Sequence, residues 1–195
     1  MSGLVIGLLA GGKATRLSGV AKGMLPAPDT GEPLAARLHR VCHEAVPEAE
    51  IVLLGASTAY DALGLPSLPD DPAGIGPLGA LAALLAEAFA RDADALAVAA
   101  DLPFMTTSLV AKIRTHAPGA PAVAPRLQGV WQPLFARYAP AECLPIARAL
   151  IGERRHAVRG VLEAFGERAV ALPLDETETR ALDDWDTPED LKRRR

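Results

Sequence analysis

The sequence predicts an α/β protein in three layers, a mostly parallel sheet covered by helices on both faces. Two observations carry this. Short apolar runs alternate with longer stretches of helical periodicity, the pattern of strand–helix–strand units. Half of the 195 residues are hydrophobic and 23% are charged, which supplies a sizeable core. At this length one core suffices, so residues 1–195 are read as a single domain.

The elements follow in order. Residues 4–9 (Leu-Val-Ile-Gly-Leu-Leu) read as a buried strand that runs into Gly11-Gly12. After the Pro/Gly-rich stretch 25–33, residues 34–46 place Leu34, Leu38, Val41, Cys42 and Ala45 on one helical face. Residues 51–54 form a second strand. Residues 66–77 hold four prolines and two glycines and read as loop, followed by an Ala/Leu-rich helix over 78–89. A third strand over 95–99 leads to Asp101. Residues 106–115 read as a helix capped by Thr106 or Thr107, and 122–124 and 130–135 as strands. Helices over 141–150 and 157–165 flank the polar loop Gly152-Glu153-Arg154-Arg155, and 169–172 form another strand. A closing helix starts at Thr187, with Pro188 at its first position and Asp190 three residues after the cap.

Composition excludes several functions. A net charge of −4 and 4% aromatic residues give neither the positive field nor the stacking rings that nucleic acid requires. The basic run Arg193-Arg194-Arg195 reads as a solvated tail. Cys42 and Cys143 are too few for a disulfide framework, and no apolar run has the length of a membrane span. The expected compartment is therefore the cytoplasm. His39, Cys42 and His43 share a helix face, but no further ligand stands at metal-binding spacing, so they read as structural. Met24 and Trp131 read as packing residues beside the site.

The first strand ends in Ala10-Gly11-Gly12-Lys13-Ala14-Thr15-Arg16, where glycines let backbone N–H groups approach an anion. Gly7 to Lys13 matches the spacing of the NTPase phosphate loop, yet Ala14 stands where that loop needs Ser or Thr on magnesium. No dinucleotide fingerprint follows the strand either. Of the 20 basic residues only four are lysine, and two of them, Lys13 and Lys22, flank this loop. Asp101, just beyond a predicted central strand, stands where open α/β sheets hold ligands. Its hard oxygen donors suit magnesium, although an Asp at this position also caps turns.

Leu9-Ala10-Gly11-Gly12, a variable triplet, Arg16-Leu17, Lys22 and Leu25-Pro26 together resemble the molybdenum cofactor guanylyltransferase family. This family lies within the larger class that includes the sugar nucleotidyltransferases. The resemblance continues in chain order through Asp70…Gly76-Pro77-Leu78-Gly79, Ala99-Ala100-Asp101-Leu102-Pro103, Gln132-Pro133-Leu134 with Tyr138, Gly152-Glu153-Arg154-Arg155 and Asp184-Trp185-Asp186-Thr187-Pro188. It implies a Rossmann-like nucleotidyltransferase sheet and transfer of GMP from GTP to molybdopterin, with magnesium as cofactor and pyrophosphate as leaving group. Partners among molybdoenzymes or cofactor-biosynthesis proteins are implied as transient ones.

The resemblance also implies roles. Lys22, Arg16 and Asp101 are the expected catalytic residues, the two cations neutralising the triphosphate while an acceptor phosphate attacks it. Leu9, Ala10, Gly11, Gly12, Lys22, Asp70, Asp71 and Asp101 are expected at the nucleotide, with Asp70 favoured over Asp71 by its offset from Gly76. Asp101 and Asp186 are expected to hold the metal, with Asp184 as the alternative to Asp186. Gly11 favours guanine, since cytidylyl relatives carry Ala there. Ala21 departs from the acid that usually precedes the lysine, and Ala56-Ser57 from an Asn common in guanylyl members. Asp184 and Asp186 stand where the best-known members have Asn. Two alternatives stay open: cytidylyl or sugar-phosphate nucleotidyl transfer on the same fold, and a non-catalytic relative that binds nucleotide or serves a molybdoenzyme as chaperone.

Overall fold

The computed structural model describes residues 3–10, 21–55 and 58–185. The predicted closing helix from Thr187 lies outside these residues. Eight strands form one sheet in the order β3-β2-β1-β4-β7-β5-β6, with β8 also paired to β5. They are β1 (Gly3–Leu9), β2 (Glu50–Leu54), β3 (Ser67–Leu68), β4 (Ala93–Ala99), β5 (Ala122–Leu127), β6 (Val130–Trp131), β7 (Phe135–Tyr138) and β8 (Ala169–Leu172). The helices are α1 (Leu34–Ala45), α2 (Pro77–Ala90), α3 (Thr107–Thr115), α4 (Pro140–Gly152), α5 (Arg159–Glu163) and α6 (Glu176–Arg180). Strands β2, β1 and β4 run parallel, as the sequence predicts; β3 adds to them in parallel, and β7 inserts antiparallel between β4 and β5.

Alternation along the central strands builds two cores, one on each face. In β1, Val5 and Leu9 face the α2 and α4 side, while Leu4, Ile6 and Leu8 face α1 and α3. The two faces are filled differently. On the α2 side the sheet offers Ala95, Ala97, Ala122, Ala124 and Ala136, and the helix supplies bulk with Leu78, Leu81, Leu84 and Leu85, all fully buried. Each such leucine contributes about 1.5–3 kcal/mol on leaving water. Gly7 belongs to this arrangement: a Cβ there would stand 2.5 Å from Leu54 Cδ1 and 2.8 Å from Leu84 Cδ2, so a larger residue would force both buried leucines to shift.

Three expectations need correction. Residues 130–135 are not one strand, because β6 ends at Trp131 and β7 begins at Phe135. Pro133 between them has no N–H to give a ladder, so pairing breaks there. Residues 66–77 are not all loop: Ser67 and Leu68 pair in parallel with Leu53 and Leu54 as a short edge strand, the location where flanking prolines are tolerated. The helix expected over 157–165 is cut to Arg159–Glu163 and passes into a 3₁₀ turn at Gly166–Arg168, with Gly166 at φ +55°. The choice of cap for α3 resolves to Thr106, whose hydroxyl accepts from Leu109 N.

Candidate functional site

The carboxyl ends of β1 and β4, neighbours in the middle of the sheet, lie side by side. Leu9 O accepts from Ala100 N at 3.1 Å, and Ala10 N donates to Leu54 O at 3.0 Å. Lys22–Met24 forms a single 3₁₀ turn, closed by Met24 N to Ala21 O at 2.8 Å and Leu25 N to Lys22 O at 3.1 Å. From this turn Lys22 Nζ donates to Asp101 Oδ2 at 2.9 Å across 79 residues of sequence. The two side chains keep 31% and 19% of their surface exposed, so the pair is held by the fold and still reachable by a ligand. Two side chains named from the sequence are thus in direct contact.

Asp101 borders a cavity of about 230 Å³ whose walls include Leu102, Gln132, Leu134, Leu182 and Asp184. Its lining mixes polar groups, the carboxylates and Gln132, with the apolar Leu102, Leu134 and Leu182. That combination suits part of a small molecule rather than a whole one, since drug-sized ligands fill roughly 300–1,000 Å³. The chain returns to this point from far away: Trp185 N donates to Asp101 O at 3.2 Å, and Trp185 packs edge-on against Phe104 with ring centroids 6.3 Å apart. Leu182 as a wall had no signal in the sequence, because it carries no chemistry and lies outside every motif.

Asp70 and Asp71 sit apart from this cavity, in the loop ahead of α2. Asp71 is exposed, and its backbone N–H donates to Gly79 O at 3.1 Å. A Cβ on Gly79 would stand 2.6 Å from Pro72 O, so glycine lets the loop lie flat on the first turn of α2. Asp70 is half-buried, its Oδ1 is enclosed without a hydrogen-bond partner, and burial raises its carboxyl above the usual carboxylate range. A buried polar oxygen without a partner costs stability, which makes Asp70 the more distinctive of the two acids.

Leu9 and Ala10 lie at the expected strand end, Leu9 buried and Ala10 half-buried. Gly11, Gly12, Lys13, Arg16, Ala56, Ser57 and Asp186 lie outside the described residues. Met24 is half-buried against the α1-side core. Trp131 does not reach the Asp101 cavity: it lies under the Arg126 guanidinium, 3.9 Å from ring centroid to Cζ, and lines a separate groove with Glu163 and Glu167. The His39, Cys42, His43 group is structural in character. The two imidazoles stack at 6.2 Å on the outside of α1, while burial pushes the Cys42 thiol up to about 12.

Among the described residues no three His, Cys, Asp or Glu side chains cluster as a complete metal cage. Asp101 and Asp184 border one cavity with hard oxygen donors. That partial donor set fits magnesium, which takes one or two carboxylates and completes its shell from water and substrate phosphates. Among the described residues, no helix is long and apolar enough to cross a membrane.

Comparison with known proteins identifies the family. Over its whole length the chain is 31% identical to a probable molybdenum cofactor guanylyltransferase of Opitutus terrae, 96% of which is covered. Its fold is similar to that of molybdopterin-guanine dinucleotide biosynthesis protein A from Archaeoglobus fulgidus, with TM-score 0.72 and 20% identity over 97% of this chain and 95% of that one. A comparable fold, with TM-score 0.65 and 16% identity over 100% and 97% of the two chains, occurs in the 2-C-methyl-D-erythritol 4-phosphate cytidylyltransferase of Thermus thermophilus. At these identities the two solved structures speak for the fold alone. Residues 6–170 match the family described as the MobA-like NTP transferase domain, a span that contains the strand ends, the Lys22 turn and Asp101; the chain belongs to that family and is a nucleotidyltransferase.

Proposed function

We propose that this enzyme transfers GMP from GTP to the phosphate of molybdopterin and releases pyrophosphate. The observation that carries the reading is the Lys22 Nζ to Asp101 Oδ2 contact at the ends of β1 and β4, in a chain whose relative over its full length bears a guanylyltransferase name. Nucleotidyl transfer brings two anions together. A phosphate oxygen of the acceptor forms a bond to the α-phosphorus while the bond from that phosphorus to the bridging oxygen of pyrophosphate breaks, and pyrophosphate leaves with the electron pair.

The chain's residues supply what that reaction needs. Lys22 is a movable point charge that can leave Asp101 for the α-phosphate as charge develops there. Arg16 is assigned to the triphosphate, where its planar fork suits two phosphate oxygens. Leu9, Ala10, Gly11 and Gly12 are assigned to the nucleoside and phosphates through backbone groups, and Asp70, rather than Asp71, to the nucleoside by its offset from Gly76. Asp101 and Asp186 would hold magnesium, with Asp184 as the alternative second ligand. That ion supplies charge neutralisation between the phosphates. The cavity bounded by Asp101, Gln132, Leu134 and Leu182 is assigned to the acceptor.

The test is pyrophosphate release measured across GTP, CTP, ATP and UTP with molybdopterin as acceptor. Turnover confined to GTP is expected. Turnover confined to CTP would sink the guanylyl assignment in favour of a cytidylyl enzyme of the same fold. GTP affinity without turnover would favour a nucleotide-binding relative that serves a molybdoenzyme as chaperone.

A further inference from the structure

Tyr60 belongs to none of the motifs, yet its hydroxyl occupies a junction at the site. It lies in a 3₁₀ turn, Thr58–Leu63, with 2% of its surface exposed. The hydroxyl donates to Ala10 O at 3.2 Å and accepts from Gly23 N at 3.2 Å. A phenol has one proton to give and lone pairs to receive, so both bonds are made at once. Burial raises the phenol's pKa, opposed by the Gly23 amide and reinforced by the Asp101 charge, which keeps it protonated and donating at neutral pH.

These bonds close a ring. Lys22 Nζ reaches Asp101; Ala100, beside Asp101, donates to Leu9 O; Ala10 O receives Tyr60; and Tyr60 receives Gly23 N, adjacent to Lys22. Without the Tyr60 hydroxyl the ring opens between Ala10 and Gly23. The fit on the Gly23 side is close: a Cβ there would stand 2.9 Å from both Tyr60 Cε1 and the hydroxyl oxygen, and 3.3 Å from Ala35 Cβ. Glycine at 23 lets the main chain come down onto the ring and bond it.

We propose that Tyr60 is a positioning residue for Lys22: its hydroxyl ties the Lys22–Met24 turn to the end of β1 and so fixes the ammonium group opposite Asp101. Tyr60 touches no substrate. It acts through Lys22, and the inference rests on the reading of Lys22 as the cation at the transferred phosphate. Displacing a charge by a fraction of an ångström weakens it most where charge develops, in the transition state.

The test is a double-mutant cycle with Tyr60→Phe, Lys22→Ala and the pair, each assayed for kcat and KM with GTP, magnesium and molybdopterin. Tyr60→Phe is expected to lower kcat by about tenfold with KM for GTP little changed, the scale of one or two lost positioning hydrogen bonds. In the Lys22→Ala background the same change is expected to cost nothing further, because the group it positions is gone. A purely structural tyrosine would lower the thermal midpoint and multiply its loss onto that of Lys22→Ala. Equal factors in both backgrounds, or wild-type kcat in Tyr60→Phe, overturn the proposal. Wild-type turnover in Lys22→Ala overturns instead the reading on which it rests, so the two failures are told apart. If Tyr60→Phe does not fold, Gly23→Ala enters the same cycle, since its methyl displaces the hydroxyl.

Discussion

Strand β4 carries an aspartate near its start and leads to another just past its end, and each is paired with a cation brought from elsewhere in the chain. At the amino end Asp94 meets Arg137 Nη1 at 2.9 Å, and Arg137 Nη2 also donates to His116 O and Ala117 O, both at 2.9 Å. Arg137 is 4% exposed and its fork is spread over three acceptors. At the carboxyl end Asp101 meets Lys22, whose ammonium sits on a flexible stem and whose side chain is 31% exposed. The first pair clamps β4, β7 and the end of α3 in one geometry. The second is a contact that a phosphate can replace. Two ion pairs of equal length therefore differ in what their surroundings let them do: burial and a rigid fork favour structure, while exposure and a movable charge favour exchange of partners.

The largest expected effect comes from the carboxyl-end pair. Lys22→Ala and Asp101→Asn are each expected to lower kcat by about 10²–10³-fold, the usual cost of removing one charge that stabilises the transferring phosphoryl group. Folding stability should change by less than about 1 kcal/mol, because the pair is partly solvated. Steady-state pyrophosphate release and urea unfolding read the two quantities separately. Loss of stability without loss of turnover would reverse the contrast between the ends.

At the amino end the expectation is opposite. Arg137→Ala leaves Asp94 and two carbonyls without their donor, and is expected to cost about 2–3 kcal/mol. That is below the roughly 3–5 kcal/mol of breaking a fully buried pair, since Asp94 keeps a quarter of its surface exposed. The urea midpoint should fall while kcat per folded molecule stays at the wild-type value. A fall in kcat comparable to that of Lys22→Ala would show that the amino end also reaches the chemistry.

What could be read from the sequence follows the same division between local and distant. Strands β1, β2 and β4 and helices α1 and α2 are visible as periodic apolar runs because each is long and buried on its own pattern. The insertion of β7 beside β4 is not visible, because strand order depends on pairing between residues such as Leu96 and Arg137, 41 apart. Helix α6 illustrates a signal that is present and insufficient: Asp175 and Glu178 form a capping box, yet only five residues without a buried side chain follow, so no apolar stripe marks them. In the site, Lys22 and Asp101 stand out by charge, rarity and motif. Tyr60 does not, since its importance lies in two backbone groups at positions 10 and 23 that no sequence pattern links to it.

The smallest effect tests an acid that meets no cation among the described residues. The Asp70 oxygen without a partner contrasts with both pairs, and its carboxyl is raised by burial. For an acid whose folded-state pKa is raised, the folded state binds its proton more readily than the unfolded chain does. The cost to stability is therefore present above the folded pKa, fades as pH falls through it, and is absent below the ordinary carboxylate value. Asp70→Asn should thus stabilise the protein slightly at pH 7, with the difference from wild type vanishing in acid. If the carboxylate serves the nucleotide, the same substitution should weaken GTP binding, because an amide presents one acceptor oxygen where the carboxylate presents a charged pair. Thermal unfolding at pH 7 and pH 3, set beside GTP titration at pH 7, separates the outcomes. A gain in stability with unchanged GTP affinity would remove Asp70 from the nucleotide site; a gain accompanied by weaker binding would mean that the fold tolerates an unfavourable carboxylate for the sake of its ligand.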